Sequence, residues 1–345
     1  MSQSANAVLA RVRAMYGKRL MVSDYTNLLS CKDVNEIASY LKSKTAYGDI
    51  FAPNGGTQIT AESIEFSLNK ELNERLHKIC TFEKMIDDKF YRYFVLKSDI
   101  DAIISAARTL VSTSALASSY VPTGFFRERS ELDFDKLYNI RSAEDLIEAT
   151  KHTRYYSTAI KFINAEGFFD FSSVEILLTR LYATEAKKLA KHFSKSAKKD
   201  LFELIDLEID YFNISNIYRL KRLDTSREDI FAKLIFEHGT ITKTKLLALL
   251  DAQGDYAFMS IITSTKLGKG FELSDFLFPE AVIERNSYKI YKRYLRFSTS
   301  PDIAVLTYMR LARMEITNIT HIVEGKRYNI SNDEIKKFLV GAEAV

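Results

Sequence analysis

The stretch Leu207–Arg222, LEIDYFNISNIYRLKR, decides the fold. Leu207, Tyr211, Ile214 and Tyr218 recur at the spacing of one helix face. Asp210, Asn213 and Asn216 form a polar stripe beside them. The pattern occurs twice more. A step of 111 residues toward the N-terminus gives Leu96, Ile100, Ile103 and Ala107, with Asp99 for Asp210 and Arg108 for Arg219. A step of 105 residues the other way gives Ala312, Ile316, Ile319 and Val323, with Glu315 for Asp210 and Asn318 for Asn213. Three matches near one-third of the chain length point to an internal repeat.

Two further stretches keep the same order and nearly the same period. One is a hydrophobic residue followed by glutamate: Ile64-Glu65, Val174-Glu175 and Ile283-Glu284. The other runs Leu28, Ile37, Leu41, Thr45, Tyr47, and returns as Leu137, Leu146, Thr150, Thr153, Tyr155. A fainter third copy is Leu246, Asp255, Met259, Thr263, Thr265. The expected units are 1–122, 123–236 and 237–345, with Pro122 and the region of Gly239 marking the junctions. Each falls in the ordinary domain size range.

The chain has 345 residues, 46% of them hydrophobic, with four prolines and twelve glycines. That composition supports packed cores and long helices and excludes wholesale disorder. Period-two alternation is rare, so the fold class is all-α: three helical bundles, side by side around a pseudo-threefold axis or in a linear stack. No run of 18 apolar residues offers a membrane span. Cys31 and Cys80 are the only cysteines, which gives neither a disulfide framework nor a zinc site.

Net charge is only +4, with both signs mixed throughout, so no nucleic-acid footprint emerges. The acid-free first 23 residues, with Arg11, Arg13, Lys18 and Arg19, have the composition of a transit peptide, but Val8, Val12, Tyr16 and Leu20 share one helix face. The segment is read as the first helix, about 5–22. The run Lys187, Lys188, Lys191, Lys195, Lys198 and Lys199 is the densest basic stretch. Beside a membrane it would seek anionic lipid; otherwise it is a solvated helix face. A closing helix is expected over Ser331–Val340, with Ser331 as N-cap and Glu334 completing a capping box.

Catalytic constellations are missing. There is no phosphate-binding Gly-x-x-x-x-Gly-Lys-Ser/Thr, no Gly-x-Ser-x-Gly elbow and no His-Glu-x-x-His. Asp99, Asp210 and Glu315 occupy equivalent places in separate repeats, so they read as structural acids rather than a shared acid–base pair. The same holds for Glu65, Glu175 and Glu284. Arg108, Arg219, Lys221, Arg222, Lys326 and Arg327 gather at helix C-termini, where they offset the dipole. Of these, Arg108, Arg219 and Arg222 are the candidate contacts for an acidic partner surface. The paired aromatics Phe125, Phe126, Phe168 and Phe169 are core anchors or an interface patch.

The segments Ala10–Met15, Leu41 to Gly48, Ile209–Ile214 and Val305 to Ile319 resemble the C-subunit family of prokaryotic V-type (A/V-type) ATPases, homologous to the d subunit of the eukaryotic V-ATPase. The resemblance spans nearly the whole chain. It implies a three-lobed, funnel-shaped helical protein with no catalytic residues, no cofactor and no metal. It implies a place on the cytoplasmic face of the membrane rotor ring, peripheral to the membrane, with the end of the central shaft received in the hollow. The implied partners are therefore the central-shaft subunits and the membrane rotor ring, not nucleic acid. The implied role is ATP-coupled proton or sodium transport. The alternative reading is a cytosolic α-helical repeat scaffold for peptide or nucleic acid, which a concave basic stripe across all units would favour.

Overall fold

The computed structural model describes residues 3–51, 59–82, 88–111, 124–271 and 279–342. The expected loop at Pro53, Gly55 and Gly56 and the junction at Pro122 lie outside these residues. Among the described residues the chain is all-helical, with one isolated bridge between Ile163 and Phe169 and no strand. The helices are α1 (Gln3–Gly17), α2 (Val22–Ser30), α3 (Val34–Lys44), α4 (Ala61–Phe82), α5 (Asp88–Thr109), α6 (Gly124–Arg127), α7 (Phe134–Tyr138), α8 (Ala143–Ala149) and α9 (Tyr156–Ala159). They continue as α10 (Phe171–Leu189), α11 (Lys195–Arg222), α12 (Arg227–Ala232), α13 (Lys243–Asp251), α14 (Gly254–Thr263), α15 (Pro279–Phe297), α16 (Pro301–Arg327) and α17 (Asn332–Phe338). The chain divides into two compact units, one of Met1–Ile86 with Ala281–Val345, the other of Asp87–Glu280.

Local chemistry sets the helix ends. Asp33, Asp133, Ser142, Asp170, Ser194, Ser226 and Ser331 each accept a backbone N–H as N-caps. At Ser331 only one half of the expected capping box forms, the bond from Glu334 N (3.3 Å). Pro301 opens α16, where its missing N–H costs nothing. α1 stops at Gly17, earlier than the apolar stripe indicated, and Leu20 is buried beyond it. Arg13 donates to Leu295 O (3.0 Å) and Ser298 O (2.8 Å), so a base of the acid-free N-terminal segment satisfies the end of α15.

Three long helices are central. In the first unit α1, α3, α4 and α17 pack on α16. In the second, α7, α8 and α10 pack on α5, while α10, α12 and α13 pack on α11. Asp99, Asp210 and Glu315 are buried in these helices, at 1%, 1% and 9% exposure. Burial of a carboxylate is tolerated when hydrogen bonds replace its water. Glu315 accepts from Leu20 N (2.7 Å) and the Tyr47 hydroxyl (2.6 Å). Asp210 accepts from Thr240 N (2.9 and 3.0 Å), from Ile241 N (3.0 Å) and from the Thr240 hydroxyl. Asp99 accepts from the Tyr155 hydroxyl (2.8 Å). Each acid therefore holds a segment distant in sequence: Tyr155 for Asp99, Thr240 and Ile241 for Asp210, Leu20 and Tyr47 for Glu315.

A second clamp recurs. Asn213 donates to Ile235 O (2.8 Å) and accepts from Ile235 N (2.9 Å). Asn318 does the same with Val340, at 2.8 and 2.9 Å. Both pairs are 22 residues apart in sequence. A buried amide thus pins the chain on its way out of the helix. Asn213→Ala and Asn318→Ala each strip two buried backbone groups of their partners. We expect each to lower stability by about 2 kcal/mol, read as a fall in melting temperature with helicity unchanged.

Candidate partner interface

The Asp87–Glu280 unit brings two of the three candidate arginines together. α10 packs against both α5 and α11, so Glu175, just past the start of α10, meets the last turns of both neighbours. Arg108 Nη2 lies 3.5 Å from Glu175 Oε1, and Arg219 Nη2 lies 3.6 Å from Glu175 Oε2. Two guanidinium groups from positions matched by the 111-residue step thus share one carboxylate. The polarity suits all three helices, since cations stand at two C-termini and an anion near an N-terminus.

Burial separates the partners. Glu175 is 16% exposed, while Arg108 and Arg219 are 54% and 53% exposed. The glutamate anchors; the arginines present most of their surface to solvent. Arg108 also lies over the Phe171 ring (5.6 Å), and Arg219 donates to Asn216 Oδ1 (2.9 Å). These contacts orient the guanidinium planes without using all their donors. Arg222, one turn further, stands apart from the fork. It pairs with Asp255 (3.1 Å) and covers the Tyr218 ring (4.7 Å). Burial raises the pKa of Glu280, and the charges of Arg222 and Arg219 oppose that rise.

The other basic helix ends have different work. Lys221 donates to Leu250 O (2.7 Å) and Ala252 O (2.6 Å), which satisfies the end of α13. Arg327 pairs with Glu62 (2.5 Å) and Glu324 (3.5 Å). At Glu65, one of two positions in the other unit matched to Glu175 by sequence step, burial raises the pKa, and Glu324 adds to the rise. Glu324 occupies the place that Arg219 has in the 105-residue step. The charge at these positions, matched by sequence step, thus differs between the two units.

Sequence reading missed the apolar neighbours of the arginines. Leu223 and Tyr256 are 68% and 71% exposed, each one residue beyond a member of the Arg222–Asp255 pair. Their signal was weak, because each is a single apolar residue at a helix end or start. Of the paired aromatics, Phe126 is buried and Phe168 is exposed; the Phe125 side chain lies outside the described residues.

One concavity in the same unit reaches a buried acid. A cavity of about 400 Å³ is lined by Asp99, Tyr155, Glu131, Arg92, Arg129 and Arg154. Arg154 is tied to Glu131. Burial pushes the Asp99 carboxyl up to about 6, against the lowering effect of the Ser130 and Tyr155 hydroxyls. No group of three or more His, Cys, Asp or Glu side chains able to hold a metal occurs among the described residues. No described helix is long and apolar enough to cross a membrane.

The comparisons with known proteins agree with this picture of a helical assembly protein. Residues 8–338 match the family described as ATP synthase (C/AC39) subunit. The chain is 25% identical to the C subunit of the A-type ATP synthase of Methanosarcina mazei, over 96% of this chain and 91% of that protein. It is 25% identical to the protein of the same name from Archaeoglobus fulgidus, over 96% and 95%. The Halobacterium salinarum protein of that name is also 25% identical, over 96% of each chain. The chain belongs to the ATP synthase (C/AC39) subunit family, a structural, non-catalytic part of a rotary ion-transporting complex.

Proposed function

We propose that this chain is the rotor adaptor of its complex. It joins the central shaft to the membrane rotor ring on the cytoplasmic face, and so couples ATP turnover elsewhere to proton or sodium transport. Its three repeats, 1–122, 123–236 and 237–345, form a three-lobed funnel with pseudo-threefold symmetry. The equivalent buried acids and the paired asparagine clamps support the repeat. A torque adaptor needs stiff helices and broad polar faces, and it needs no nucleophile.

The observation that carries the interface is the arginine fork. Arg108 and Arg219 are oriented by one half-hidden glutamate yet remain half exposed. With Arg222 they offer an acidic partner surface three cations on one unit. Such contacts are polar, partly wet and salt-sensitive. A lasting contact of this kind buries at least about 1,000 Å² in total.

The test uses Arg108→Gln, Arg219→Gln and Arg222→Gln, singly and together. Glutamine is chosen because a charge reversal would set a carboxylate against Glu175. Exposed ion pairs contribute about 0–1 kcal/mol, so the isolated triple variant should keep its helicity and nearly its melting temperature. Capture of ring and shaft subunits should weaken with each substitution. A folded triple variant that assembles normally removes the arginines from the interface. Failure of the unaltered chain to capture either partner overturns the adaptor reading.

A further inference from the structure

The lysine run, which the adaptor reading leaves unused, becomes a compact surface in the structure. α10 ends at Leu189, a 3-10 turn covers Ala190–His192, and α11 starts at Lys195. The corner is fixed by buried Ala190, Ala197 and Leu201, and by Ser194, whose hydroxyl accepts from Ala197 N (3.3 Å). Six lysines fall on this corner within thirteen residues, Lys187 to Lys199.

Two of the six are neutralised locally. Lys187 pairs with Asp206 (2.5 Å) and Lys188 with Glu185 (2.6 Å). Lys191, Lys195, Lys198 and Lys199 have no ion-pair partner among the described residues. Nearby Glu203 is engaged by Lys266 (2.6 Å). Asp200 is half-buried beside Lys199; burial and the charge of Glu203 raise its pKa against the opposing charge of Lys199, and it offers the four lysines a single nearby carboxylate. Four ammonium groups against one carboxylate leave this fixed corner with a positive excess, whose charges repel one another unless an anionic surface meets them.

We propose that this lysine corner is a docking surface for an anionic lipid bilayer. The run contains no arginine, so it lacks the fork that recognises a phosphate or base bidentately. Its neighbouring ring, Phe202, has ammonium groups of Lys187 and Lys198 each 5.4 Å from its centroid and offers no open platform for a base. Compact, mobile point charges suit the diffuse attraction of lipid headgroups, worth about 1 kcal/mol per lysine near an anionic surface. The contact is electrostatic and peripheral, since no described helix can insert across the bilayer. A complex that transports ions works beside such a surface.

The experiment is co-sedimentation of the full chain with vesicles of phosphatidylcholine alone or with about one-third phosphatidylglycerol. Binding is expected only to the anionic vesicles, and it should fall steeply with added salt. Each Lys→Gln change among Lys191, Lys195, Lys198 and Lys199 should cost a factor of about five in partitioning. The quadruple Gln variant should lose binding, and the quadruple Arg variant should keep it. If the quadruple Gln variant misfolds, the pairs Lys191→Gln with Lys195→Gln and Lys198→Gln with Lys199→Gln carry the test. Full vesicle binding by the Gln variants, or equal binding to neutral vesicles, overturns the proposal. Single-stranded RNA that binds the corner and displaces it from vesicles also overturns it, in favour of a nucleic-acid surface. No ring or shaft protein enters the assay, so its failure leaves the adaptor reading untouched.

Discussion

Gly239→Ala should destabilise the Asp87–Glu280 unit by about 3–5 kcal/mol. Two effects coincide there. Gly239 has φ +107°, a backbone conformation that costs a side-chain-bearing residue on the order of 1–2 kcal/mol. A Cβ at that position would also stand 2.5 Å from Asp210 Oδ1, far inside contact distance. The chain would have to draw back from Asp210, and Thr240 N and Ile241 N would leave the carboxylate with it. A buried carboxylate stripped of its donors is the expensive outcome. Gly167 is the control. Its φ is +86° and a Cβ there meets nothing within 4 Å, so Gly167→Ala carries the backbone cost alone. Thermal melting of the two variants should separate them by several degrees. A Gly239→Ala protein as stable as the Gly167→Ala protein would show that Asp210 keeps its donors by another route.

Much of this arrangement was legible in the stripe 207–222 and its two echoes. Period and polarity alone placed Asp99, Asp210 and Glu315 in corresponding helices and marked them as structural acids. What period cannot carry is which segment serves each acid. Glu315 takes its donors from Leu20 and Tyr47, 295 and 268 residues away, and local pattern says nothing about such a pairing. The arginine fork was half legible. Arg108 and Arg219 were equivalent by step, but their meeting on Glu175 depends on α10 lying against both α5 and α11. That is a packing fact, absent from any single helix. The lysine corner was visible as a run, whereas its division into ion-paired and other lysines required Asp206 and Glu185 to be placed. α11 also starts twelve residues before its predicted stripe, because its buried first half, with Leu201, Leu204 and Ile205, follows no repeat motif.

Asp99 should make stability depend on pH in a way that Asp210 illuminates. Asp210 is served by backbone N–H groups of Thr240 and Ile241, beside Gly239. No backbone donor reaches Asp99 among the described residues. Its Oδ2 accepts from Tyr155, and Oδ1 has no well-formed hydrogen bond among the described residues. Burial is the largest influence and raises the carboxyl to about 6; Ser130, Tyr155 and Arg154 pull it down, and Glu131 pushes it up. The unfolded chain releases this proton near the ordinary 3.8. A group raised on folding binds more protons in the folded state. Its contribution is therefore full below about pH 4 and is lost as pH rises to about 6, on the order of 3 kcal/mol. Glu131, Asp170 and Asp251 are lowered on folding and act in the opposite direction, so the effect must be read as a difference between two proteins. Asp99→Asn keeps the shape and the acceptor for Tyr155 but never ionises. It should match the parent near pH 4 and exceed it by roughly 5–10 °C in melting temperature at pH 7. A constant difference across that range would mean that Asp99 ionises as freely in the folded protein as in the unfolded chain. An Asn variant less stable at pH 7 would mean that the charge itself is needed, held by donors stronger than Tyr155 and Ser130.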